Sequence, residues 1–334
     1  MYDNYIALDW ANSNMAVARL SKESERIHCN ETRSSVEDLR FYLDNLRGSK
    51  ILTFEETTTA QWLYTELKGS VDEILVCDPY RNKLLSEGAK TDKIDSIKLV
   101  HLLRANLLKP VYHSGEVFVE IRKLVSGYND LVQEGVRLKN QRSAIFRAEG
   151  KPDIDVKASS TFGNIVLTSI GKRIELYEEE KEALEKEFEK IVKKHSIVRL
   201  IDEIPGIGPI GAVKVASIVV NMDRFPHRNN FLSYCGLVKL SRMSGGRSYG
   251  EKLARHRKDL KSVFKTASLS AVKNENEYRD YYLWLMKTRN YSERNARHAV
   301  TRKIAITVFG VMKCKKHYNQ LNLGVFKDNI FKNN

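Results

Sequence analysis

Cysteine is scarce in this 334-residue chain: Cys29, Cys77, Cys235 and Cys314 lie far apart, with no C-x-x-C pair among them. That spacing excludes a zinc finger and a disulfide framework, and it points to a reducing cytoplasm. Long apolar runs are missing too. No stretch approaches the roughly 20 residues needed to span a bilayer. The opening "MYDNYIALDW" has acids where a secretory signal has a basic start, so neither secretion nor membrane insertion is expected. No 20–50-residue repeat and no low-complexity block stands out, which argues against a solenoid or a tail-like protein. Acids are in deficit: 42 Asp and Glu face 56 Lys and Arg, for a formal charge of +14. A protein that works against a polyanion has this balance, nucleic acid being the leading candidate and a merely soluble basic protein the alternative.

The N-terminal third alternates between strand and helix patterns. "YIALDWANSNMAVARLS" and "RIHCNET" predict three short strands joined by Asn and Ser turns. "SSVEDLRFYLDNLRG" predicts a helix with capping-box spacing at Ser34 and Glu37. Then come a strand in "KILTFEE", a helix in "TAQWLYTELKG", a buried strand in "EILVCDP", a short helix in "RNKLLSEGA" and a longer one in "TDKIDSIKLVHLLRANLL". Three strands followed by helix-strand-helix-strand-helix is the element order of a ribonuclease-H-like α/β domain. Beyond it, Val117, Ile121, Leu124, Tyr128, Leu131, Gly135 and Leu138 mark a heptad seam. Ile174, Tyr177, Leu184, Phe188 and Ile191 repeat it, with Lys181 at one seam position. The two helices are expected to pair with each other or with a second subunit. From "IDEIPGIGPIGAVKVASIV" onward the charge turns positive and the pattern reads as helical to the end. "PGIGPIGA" forms a two-glycine hairpin between short helices, which either offers backbone N–H groups to a phosphate or is simply a tight connection.

Two features carry chemistry. If the first domain is ribonuclease-H-like, Asp9 and Glu55 end neighbouring strands, and Asp92 and Asp95, at i and i+3, share a helix face. Four such carboxylates suit two hard cations about 4 Å apart, the arrangement that serves phosphoryl transfer. Taken singly, Asp9 is a turn residue and Asp92 a partner for the helix dipole. Glu56 is as available as Glu55, and only strand parity separates them. The other feature is "CGLVKLSRMSGGRSYG", which sets Ser241, Ser244 and Ser248 among Lys239, Arg242 and Arg247 in a glycine-rich, flexible loop. A serine among cations is suited to attack a phosphodiester, or it is only a turn residue.

The segments "ALDW", "FEETTT", "KTDKIDS", "PGIGPIGA", "CGLV" and "MSGGRS" come in an order that resembles the DEDD transposases of the insertion-sequence-110 family, relatives of the Piv/MooV DNA invertases. The likeness spans nearly the whole chain, departing at Thr58, where the family usually has glycine. It implies an α/β plus all-α architecture. A RuvC-like catalytic domain would cover 1–112, a coiled-coil arm 113–198, and a C-terminal helical transposase domain 199–334 with a helix-hairpin-helix-like motif. It implies that Asp9, Glu55, Asp92 and Asp95 bind Mg²⁺ or Mn²⁺, and that Ser244 is the nucleophile of a phosphoserine intermediate. It further implies double-stranded donor and target DNA, a noncoding bridge RNA, and dimers assembling into a tetramer with composite sites. The rivals are a RuvC-type junction-resolving nuclease, which needs the acids but no serine, and a non-catalytic nucleic-acid-binding protein, which needs neither.

Overall fold

A computed structural model describes residues 1–82, 91–113, 116–151 and 160–320. It divides into two compact units, Met1–Ser114 and Gly115–Asn334. The first is built on five strands: β1 (Asn4–Trp10), β2 (Asn14–Ser21), β3 (Ile27–Arg33), β4 (Lys50–Glu55) and β5 (Glu73–Cys77). Their order is β3-β2-β1-β4-β5. The meander β1-β2-β3 is antiparallel, whereas β4 lies parallel to β1 and β5 parallel to β4. Helices α1 (Val36–Asn45), α2 (Ala60–Leu67), α3 (Pro79–Asn82) and α4 (Asp92–Arg104) complete it. This is the expected ribonuclease-H-like arrangement. The helix anticipated over "RNKLLSEGA" lies, past Asn82, outside the described residues.

Alternation along the strands makes two cores, one on each face of the sheet. Ile6, Leu8, Leu52 and Phe54 face one way and pack with Leu39 and Leu43 of α1 and Leu63 and Leu67 of α2. Tyr5, Ala7 and Ile51 face the other and pack with Leu99, Val100 and Leu103 of α4. Ser35 caps α1 by accepting from the Asp38 N–H, and Thr91 caps α4 by accepting from that of Ile94.

The second unit starts with two long helices, α5 (Glu116–Ala148) and α6 (Thr161–Lys194). They pair with each other, antiparallel, in one chain. Tyr128 donates to Glu185 at 2.7 Å, Lys139 donates to Glu178 at 2.6 Å, and Phe146 packs with Leu167. Most expected seam positions are buried or half-buried, although Val117 is exposed. Lys181 reaches out of the seam to Glu178 and Glu185, at 3.8 and 3.6 Å. Residues 152–159 of the expected loop between them lie outside the described residues. The seam near Ile121, Val125, Tyr128, Phe188 and Val192 merges with the core of the following helices. These are α7 (Ser196–Asp202), α8 (Pro209–Val219), α9 (Arg228–Tyr234), α10 (Lys258–Ala271), α11 (Glu277–Lys287) and α12 (Glu293–Cys314).

One expectation is corrected here. The region after Gly236 is not helical to the end, nor is the serine-bearing stretch a flexible loop: β6 (Lys239–Ser244) and β7 (Arg247–Leu253) form a two-stranded antiparallel hairpin. Gly245 and Gly246, at φ +54° and +75°, make its two-residue turn. Both residues of such a turn need positive φ, and glycine supplies it without a Cβ clash. All four cysteines are thiols. Among the described residues, no helix is long and apolar enough to cross a membrane.

Candidate functional site

Asp9 and Glu55 each follow by one residue the Leu8–Phe54 pair of the parallel β1/β4 ladder. Both therefore stand at the carboxyl ends of adjacent strands, where the strand order reverses. That crevice is where open α/β sheets take ligands. The alternation that sends Leu8 and Phe54 toward α1 and α2 sends Asp9 and Glu55 toward the α4 face. On α4, the buried stripe toward the sheet is Ser96, Leu99, Val100 and Leu103. Asp92 and Asp95 continue it by one turn at the N-terminal end, because 92, 96, 99 and 103 fall at helical spacing. All four acids thus belong to one face of the sheet. Asp92 is exposed; Asp9, Glu55 and Asp95 are half-buried.

Strand parity separates the two glutamates. Glu56 has left β4; its N–H donates to the Cys77 carbonyl at 2.9 Å. Its carboxylate lies 2.6 Å from Nε2 of His113, whose Nδ1 is 3.0 Å from Gln61 Oε1 and whose ring stacks on Tyr64. The side chain of His113 is only 5% exposed. His113 was not foreseeable: it stands 57 residues from its partner, and a lone histidine before a helix carries no local signal.

Carboxylates are the hard oxygen donors that magnesium takes, so the donor chemistry fits a divalent ion. Among the described residues, no three His, Cys, Asp or Glu side chains gather about one point as a metal group. Magnesium needs no such cluster, since it is commonly held by one or two carboxylates with waters and substrate phosphates completing its octahedron.

Ser244 is the last residue of β6, exposed beside the Gly245–Gly246 turn and paired directly with Arg247. Directly opposed residues of an antiparallel ladder project on the same side. The serine hydroxyl and the guanidinium therefore share one face of the hairpin tip. The register shifts between Ser241 and Met243, and Lys239 pairs with Glu251 at 3.0 Å.

The glycine hairpin before α8 has a packing explanation. At Gly206, φ +90°, an added Cβ would stand 2.3 Å from the Ala267 carbonyl oxygen of α10. The cleft beside it, about 490 Å³, is lined by Glu185, Glu189 and Asp259 as well as Lys214. Lys214 sits over the Tyr128 ring at 5.1 Å, and its burial lowers its pKa, with Asp259 opposing. Three carboxylates make that side a poor seat for a phosphate.

Residues 6–148 match a family model described as a transposase of the DEDD IS110 type, and residues 198–283 match the Transposase IS116/IS110/IS902 family. The chain is 24% identical over 139 residues to "Insertion element IS110 uncharacterized 43.6 kDa protein" of Streptomyces coelicolor, an alignment covering 41% of this chain and 34% of that one. It thus spans about a third of the length of the curated relative it matches. The two family segments together cover well over half of the residues, and the chain belongs to the IS110 family of transposases.

Proposed function

We propose that this protein is a recombinase of an insertion sequence that cuts and rejoins DNA, with Ser244 as nucleophile and Asp9, Glu55, Asp92 and Asp95 as the acids that hold Mg²⁺ or Mn²⁺. What supports this is that strand parity sets Asp9 and Glu55 at the switch point of the sheet, on the face that α4, with Asp92 and Asp95 in its first turn, covers. Strand parity favours Glu55, the last residue of β4, over Glu56, which has left the strand. Bound there, the ion would neutralise charge on the phosphodiester. In the first step the Ser244 Oγ–P bond forms, one P–O ester bond breaks, the serine proton passes to water, and the departing sugar oxygen takes up a proton. In the second, a sugar hydroxyl of the other DNA attacks the phosphoserine, restoring the diester and the free serine. Bond types are conserved, so no energy-supplying co-reactant is needed. Arg247, across the hairpin from Ser244, is placed to hold a phosphoryl oxygen.

Guidance by a bridge RNA, assembly of dimers into a tetramer with composite sites, a coiled-coil character for the α5/α6 arm and a cytoplasmic setting rest on the family. So does the assignment of the DNA as donor and target duplexes.

The test is recovery of a denaturation-resistant protein–DNA adduct after incubation with the element's DNA, its flanking transcript and Mg²⁺. Ser244→Ala is expected to abolish the adduct, whereas Asp92→Asn is expected to slow its formation about 100-fold or more, through loss of several kcal/mol of charge stabilisation. Wild-type recombination by either variant would overturn the assigned role. Cleavage that persists in Ser244→Ala without an adduct would make the protein a junction-resolving nuclease instead.

A further inference from the structure

Helices α10 and α12 cross where Thr301 Oγ1 donates to Ser268 Oγ at 2.9 Å, a buried bond surrounded by Ala267, Ala271, Val300 and Ile304. The residues leading into that crossing are basic on both helices. Lys265 and Lys261 lie three and seven residues before Ser268; His298 and Arg294 lie three and seven before Thr301, with Arg297 beside them. Equal offsets at helical spacing bring both rows to the same side of the crossing. Lys265, Arg294 and His298 are exposed, and Lys261 and Arg297 are half-buried. The charges are near enough to act on one another. The pKa of His298 is held down by partial burial and then by Lys265, Arg294, Lys261 and Arg297, and that of Lys261 by desolvation and then by Lys265.

Holding these cations together costs the free protein self-repulsion, to which the place of Lys261 and Arg294 in the first turn of their helices adds. Glu293 meets Arg297 at 3.4 Å, while Asp259 lines the cleft described above. A face that served only solubility would mix its signs, as α6 does with Glu182–Lys186 at 2.8 Å and Glu187–Lys190 at 2.6 Å. We infer that the α10/α12 face formed by Lys261, Lys265, Arg294, Arg297 and His298 is a docking surface for the phosphodiester backbone of duplex DNA. The choice of DNA as the polyanion rests on the proposed function. The surface itself depends on neither the acids nor Ser244.

The test is fluorescence anisotropy in EDTA, which prevents cleavage, with labelled DNA and RNA duplexes of about 30 base pairs and arbitrary sequence. The dissociation constant is followed against salt, whose slope changes by about 0.9 for each phosphate contact. The triple variant K261Q/K265Q/R294Q is expected to weaken DNA binding at least about tenfold and to flatten the slope by about 2 to 3. K186Q/K190Q on α6 should leave both unchanged. A wild-type slope in the triple variant overturns the inference, and so does equal flattening by the α6 pair. Loss confined to the RNA duplex overturns the choice of DNA while leaving the recombinase reading intact. Should the triple variant melt early, Lys265→Glu alone, at an exposed position, is read by the same criterion, with a slope change of about 1 expected.

Discussion

Gly135 has no side chain because Tyr177 occupies the place one would take: a Cβ there would lie 2.4 Å from the ring. That ring is in turn covered by Lys139, whose Nζ stands 5.0 Å from its centroid. Gly127, two turns earlier on the same helix, has nothing within 4 Å of a would-be Cβ. The same substitution should therefore act in opposite directions. Gly135→Ala is expected to destabilise the second unit by about 1–3 kcal/mol through overpacking. Gly127→Ala should stabilise it by up to about 1 kcal/mol through helix propensity. Denaturant unfolding of the two variants checks this; effects of one sign would refute the packing account. Gly135 was legible as a seam position from its heptad spacing, but its partner was not, because only the antiparallel register decides which residue of α6 meets it. The choice between Glu55 and Glu56 divides in the same way. Parity of β4 was readable from "ILTFEE", whereas the hold of His113 on Glu56 needed the fold.

At the scale of elements, the strands of the first unit announced themselves because four of the five bury at least one face, and β3 half-buries Ile27 and Cys29 in alternation. The hairpin β6/β7 did not. Every residue of β6 is exposed, and "KLSRMS" presents no apolar stripe for periodicity to find. Its one local signal is Gly245–Gly246, the dipeptide of a two-residue turn. This split between turn chemistry and burial has a measurable consequence. Valine at both glycines would force a β-branched residue into the left-handed region, at about 1–2 kcal/mol per residue. The hairpin would lose its turn, yet β6 and β7 give no residue to the main core. G245V/G246V should therefore melt with the wild type while failing to form the serine adduct. Retention of the adduct would show that Ser244 needs no hairpin to present it.

The whole molecule has two units with separate cores, and this is where the alternation of periods in the sequence was most informative: strand and helix alternate through α4, and helices dominate from α5 onward. Separate cores should unfold separately. Leu52, fully buried in the sheet's α1/α2 core, and Ile304, fully buried on α12, report on one unit each. Calorimetry should resolve two transitions. Leu52→Ala should lower only that of the first unit and Ile304→Ala only that of the second, each by about 2–5 kcal/mol of stability. The same experiment tests the metal assignment without any DNA. An ion that binds the folded acids and not the unfolded chain stabilises by RT ln(1 + [L]/Kd), about 2.7 kcal/mol at a hundredfold excess over Kd. Mn²⁺ should therefore raise the first transition alone. Chelation should reverse the shift, and the double variant D92N/D95N should abolish it. A shift of the second transition instead would send the search to the carboxylates Glu185, Glu189 and Asp259 around the glycine hairpin; no shift in either would leave the four acids of the sheet without their ion.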